Sequence, residues 1–137
     1  SNKRYKAPYK TSIEFINSIV LPFVEVFNEC CIEAQELERK GKTRQASEKL
    51  WGAVTALIKL YAAIKGIPIL HWSKGKLDKF ITNNIEPEYK KSFRDLLDKA
   101  QRLHEYFYEG YLDSRTFKER WEETIKLLEK VKEIVLR

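Results

Sequence analysis

Methionine is missing altogether from these 137 residues, and glutamine (three), asparagine (five), cysteine (two), proline (four) and glycine (five) are scarce. Each shortage excludes something. The two cysteines, Cys30 and Cys31, are sequence neighbours, poorly placed to bridge each other and without a second pair for a metal. They are expected to be packed thiols. With two histidines and no acid-rich cluster beside them, no metal site and no cofactor are expected. No run of about 18 consecutive apolar residues occurs, and no apolar segment of signal-peptide type follows the basic start. Neither a membrane span nor a secretory leader is read, and the protein is expected to be cytoplasmic. A glycine-rich phosphate loop is also missing, since GKTR at 41–44 resembles only the tail of one and no strand precedes it. The absent initiator methionine and the leading Ser1-Asn2 resemble a cleavage scar, so the natural start is expected to lie elsewhere.

What is present is helix. At 43% apolar and 34% charged, the chain can build one core and is too short for two comfortable domains. High charge with few amides resembles proteins built for high temperature. Residues 1–10 carry four bases, no acid and a proline, and are expected to form a basic arm ahead of a single domain over 11–137. From Ser12, a candidate cap, the stripe Ile13, Ile16, Val20, Phe23, Phe27, Cys31, Ala34 and Leu37 steps by three and four. Pro22 lacks an N–H and its ring presses on the carbonyl four residues back, so this helix is expected to kink or split there. After Gly41, with Thr43 as its expected cap, a second helix is apolar around most of its circumference, from Ala46 to Ile64, and belongs at the centre. Gly52 within it predicts a close neighbour. Gly66 and Pro68 stop it, and Ser73 caps a short helix carrying Leu77, Phe80 and Ile81. Pro87 opens a third long helix lining up Phe93, Leu96, Leu97, Ala100, Leu103, Phe107 and Tyr111. Gly110 ends it, and Asp113 or Ser114 caps a fourth carrying Phe117, Trp121, Ile125, Leu128, Val131 and Val135. The fold class is all-α: four long helices and one short one in an antiparallel up-and-down bundle.

Charge is uneven along the chain. Residues 11–38 sum to −6, whereas residues 39–79 hold ten bases and two acids. The excess centres on RKGKTR (39–44) and on the stretch with Lys65, Lys74, Lys76 and Lys79, with Lys90, Lys91 and Arg94 as possible neighbours. Clustered bases attract phosphate backbones or acidic proteins. Aromatics able to stack on bases, including Tyr5, Tyr9 and Trp72, lie beside this basic material. A solvated surface is the plainer reading of the same charges. His71, beside Trp72, is expected to anchor the short helix, with substrate binding as the alternative. LHEYFYEG (103–110) raises the same choice for His104, which sits at the edge of an apolar stripe and is expected to pack with one ring nitrogen satisfied.

Three blocks, QASEKLWGAVTALIKLYAAIKG (45–66), HWSKGKLDKFI (71–81) and LHEYFYEGYLD (103–113), resemble motifs of the archaeal PaREP family, whose members are similar to HEPN domains. The likeness covers roughly residues 34–135. It implies a HEPN-like bundle, commonly a homodimer, from a superfamily that includes RNA-cleaving toxins, nucleotide-associated modules and inactive relatives; a nucleotidyltransferase partner acting as antitoxin would fit it. The ribonuclease branch carries an arginine, four to six intervening residues and a histidine. Here the histidine position matches His104, but Arg94 is ten residues upstream and Arg102 two, on another face. Only Lys99 has suitable spacing, and lysine lacks the planar fork that clamps a phosphate. The expected function is therefore a noncatalytic binding module for RNA or another phosphate-bearing partner. Arg39, Lys40, Lys42, Arg44, Lys74 and Lys76 would supply charge, with His71 and Trp72 beside them. Two alternatives stay open: a metal-independent ribonuclease using His104 with Lys99 or Arg102, and a homodimeric protein-interaction adaptor.

Overall fold

The computed structural model describes residues 12–67, 69 and 71–137; the basic arm lies outside the described residues. In chain order the elements are α1 (Ser12–Phe15), a π-helical turn (Ile16–Val20), α2 (Leu21–Arg39), α3 (Thr43–Ile64), α4 (Lys74–Asn84), α5 (Pro87–Glu109) and α6 (Ser114–Val135). No strand occurs among the described residues.

Pro22 meets a helix that runs through it rather than ending. Because Pro22 offers no N–H to Ser18 and its ring crowds that carbonyl, the preceding turn widens. The Leu21 N–H bonds five residues back, to the Ile16 carbonyl. Downstream, α2 closes on Gly41 at φ 76°. The Lys42 N–H donates to the Leu37 carbonyl at 2.9 Å and the Gly41 N–H to that of Glu38 at 3.0 Å. That doubly bonded cap requires a left-handed residue, which glycine supplies without strain.

Every long helix packs on α3. Its Leu50, Val54, Leu57, Ile58 and Leu60 are fully buried, each contributing about 1.5–3 kcal/mol of transfer free energy. Phe27 of α2, Leu77 and Ile81 of α4, Phe93, Leu96, Leu97 and Leu103 of α5, and Phe117, Leu128 and Val131 of α6 complete the same core. Gly52 faces α2 as expected: a Cβ there would stand 3.3 Å from the Cys30 sulfur. Both thiols are half-buried, and burial pushes Cys31 up to about 11.

Several expectations are corrected. Ile13 is 70% exposed and Ile16 and Ile64 are also on the surface; helical period marks a face but not where the neighbouring helix stops. Tyr111 is exposed and Tyr106 takes the inward place. Thr43 is not a cap but the first residue of α3, with Lys42 before it and no side-chain cap. Its hydroxyl shares a 2.6 Å hydrogen bond with the Tyr106 hydroxyl. Ser73 and Asp113 do cap α4 and α6, accepting from the N–H groups of Lys76 and Thr116.

Among the described residues one helix, Ile13–Arg39, is long and apolar enough by length and composition to cross a membrane; its 18-residue window has a mean hydropathy of 1.5 and is 6% buried. Asn17, Pro22, Glu25 and Asn28 keep it from being an unbroken apolar run.

Candidate functional site

Glu48 and Trp51 lie one turn apart on α3, and His104 and Tyr108 one turn apart on α5, so two antiparallel helices bring four side chains together. The His104 Nδ1–H donates to the Glu48 carboxylate at 2.9 and 3.1 Å; since a carboxylate only accepts, Nδ1 carries the proton. The imidazole stacks on Trp51, with centroids 5.0 Å apart and planes 20° apart, and meets the Tyr108 edge at 5.1 Å. Trp51 in turn contacts Trp72 at 6.0 Å. The result is a ladder of rings, Tyr108, His104, Trp51 and Trp72. Its middle is anchored in the core, Trp51 being 6% exposed, while Trp72 (40%) and Tyr108 (66%) are open to solvent.

Cations stand at both ends. The Lys59 ammonium lies 4.4 Å over the Trp72 ring, and burial lowers its pKa from the ordinary lysine value. The negative ring face offsets part of that desolvation. At the other end Arg44 is committed to the backbone: its Nε–H donates to the Phe107 carbonyl at 2.9 Å and its Nη2–H to that of Tyr108 at 2.7 Å. These are carbonyls of the last turn of α5, which have no partner within the helix. Arg44, read from sequence as a free cation, is a helix clamp.

Arg39, Lys40 and Lys42 remain exposed in the α2–α3 turn. Lys74 sits by Asp98 at 3.6 Å and Asp78 at 3.9 Å, whereas Lys76 and His71 are exposed near the start of α4. Lys65 lies at the far end of α3, bound to Glu86 at 2.6 Å. Arg94 donates to Thr82 and Lys91 pairs with Asp95. The bases of the two connections thus form two groups. Between Asp98, beside Lys74, and Phe107, beside Arg44, α5 rises ~14 Å, and the ring ladder occupies that interval.

The residues suggested as partners of His104 are not there. Lys99 donates to Glu123 of α6 at 2.7 Å, on a different side of α5, and Arg102 is exposed. Five residues turn a helix by about 140° beyond one full turn, so Lys99 cannot share the face of His104. Sequence reading missed Glu48, Trp51, Tyr108 and Lys59. The usable signal was a carboxylate and a tryptophan one turn apart on a helix otherwise apolar nearly all round.

Fold and site together define an all-α bundle with a solvent-facing aromatic ladder set between two basic turns. Residues 23–128 match the model of the archaeal PaREP1/PaREP8 family, and the chain belongs to that family. Searches of curated proteins and of solved structures gave no match.

Proposed function

We propose that this protein is a noncatalytic module that binds single-stranded RNA, built on a HEPN-like bundle. The observation that carries the reading is the ladder with solvent-exposed ends: Trp72 and Tyr108 are exposed, and the buried Trp51 packs against both Trp72 and His104. Stacking on such a ring is worth about 1–3 kcal/mol per base and tolerates any base. Arg39, Lys40 and Lys42 on one side, and Lys76 on the other, supply cations for the phosphates between stacked bases. Catalysis is disfavoured because among the described residues no guanidinium is bonded to His104 and Lys99 is held by Glu123.

The test is fluorescence anisotropy with a labelled unstructured RNA of about a dozen nucleotides. Binding is expected at low salt and should weaken with slope about −0.7 per phosphate contact in a log–log plot. Trp72→Ala should weaken it about 5–100-fold. No association at low salt overturns the reading.

One observation favours a ribonuclease instead: Glu48 orients His104 so that Nε2 has no partner among the described residues. RNA cleavage by the wild-type protein that His104→Ala abolishes would replace the binding proposal with that one. The reading also carries a homodimer, for which the exposed Ile13, Ile16, Leu21, Val26 and Ile32 of α1 and α2 provide apolar surface; light scattering on the purified protein checks it. A nucleotidyltransferase is the protein partner such a bundle would be expected to meet, and co-purification with one encoded beside it tests that.

A further inference from the structure

A recess lies beside the ladder, between the α3–α4 connection and α4, with a volume of about 400 Å³. His71, Lys76, Lys79, Asn83 and Asn84 line it, with Ile67, Ile69 and the buried Phe80 as its apolar part. We propose that this recess holds the terminal phosphomonoester of an RNA strand whose following bases stack on Trp72; the proposal rests on the RNA-binding reading above.

Three observations support this occupant. First, the recess is one-signed: no aspartate or glutamate lines it, and among the described residues neither Lys76 nor Lys79 has a carboxylate within ion-pair distance. Lys74, two residues before Lys76 on α4, is by contrast held by Asp78 and Asp98. Second, Lys76, Lys79 and Asn83 stand at i, i+3 and i+7 on α4 and so form one row, ~10 Å long, of donors facing one side. Ammonium, amide and imidazole groups each donate to phosphate oxygen. Third, the recess adjoins the ladder through consecutive residues, His71 lining the one and Trp72 ending the other. A strand leaving the recess passes the solvent-exposed Trp72.

The charge of the ligand discriminates its class. A phosphomonoester carries about −1.5 to −2 at pH 7, whereas an internal phosphodiester carries a single negative charge. Uncompensated ammonium groups favour the former. A volume near the low end of the ~300–1,000 Å³ typical of ligand pockets suits one nucleotide and not a run of them.

The experiment compares one RNA sequence in three forms, with a 5′-phosphate, with a 3′-phosphate and with hydroxyls at both ends, by anisotropy on the full chain. One of the phosphorylated forms is expected to bind about tenfold tighter than the hydroxyl form, the scale of one charge-assisted hydrogen bond. In Lys79→Ala/Asn83→Ala that ratio should fall toward one. Which form wins tells which end enters. If all three forms bind equally, or if the ratio survives in the double variant, the recess is not the phosphate site although RNA binding stands. If no form binds, both this inference and the reading beneath it fail.

Discussion

Removing the Arg44 guanidinium offers the sharpest test of how this bundle is fastened. The side chain donates to two successive carbonyls at the end of α5, at 2.9 and 2.7 Å. Both bonds are solvent-exposed, so each belongs at the low end of the ~1.5–3 kcal/mol measured for hydrogen bonds to charged groups. The positive charge also opposes the negative end of the α5 dipole, adding about 0.3–1 kcal/mol. Discounting for exposure gives a total near 2 kcal/mol for Arg44→Ala. For a domain of this size each kcal/mol moves the melting temperature by roughly 4 °C, so a drop of about 8 °C is expected by circular dichroism. Arg44→Lys keeps the charge but not the fork, and should lose about half as much. If both variants melt within about 1 °C of the parent, the clamp is decorative and the assignment of Arg44 to structure is wrong.

Gly110, at φ 61°, has its α-carbon under that guanidinium, and a Cβ would come within 3.0 Å of Arg44 Nη1. Gly110→Ala should cost about 1–2 kcal/mol in urea melts and less in an Arg44→Ala background; an equal cost in both would contradict the close approach. A double-mutant cycle on Glu48→Ala and His104→Ala should give a coupling of about 0.5–1.5 kcal/mol, and strict additivity would show that the 2.9 Å contact is energetically empty. The Lys65 hydrogen bond holds the Glu86 carboxyl below its usual 4.5. A depressed carboxyl stabilises the fold above its unfolded pKa and loses that contribution as the pH falls through the folded value. Glu86→Gln should therefore be less stable than the parent at neutral pH, by under about 1 kcal/mol given its exposure. The difference should vanish in acid, and one unchanged there would refute the linkage.

Helices were legible because their signals are local. Apolar spacing marked α2, α3, α5 and α6, and Ser73, Pro87, Gly110 and Asp113 marked ends that the backbone respects. Thr43 misled because a hydroxyl at a helix start has two uses, and the Tyr106 hydroxyl, 63 residues away, claimed it. Ile13 and Ile16 carried the right period but lie where no neighbour covers them. The site was harder to read for the same reason. His104 was visible, but its carboxylate partner is 56 residues distant and Lys99 was nominated by spacing alone. Summed charge also counted Arg44 and Lys74 as free, although a backbone and two aspartates hold them.

The widened turn before Pro22 acts as a phase slip. A π turn takes in one residue more than an α turn, so everything upstream is rotated by about 100° relative to an unbroken helix. Replacing Pro22 so that this turn relaxes to an ordinary α turn would swing Ile13 and Glu14 to a new azimuth while leaving the contacts of α2 with α3 in register. The direction in which this end of the molecule points is thus encoded separately from the bundle that carries it.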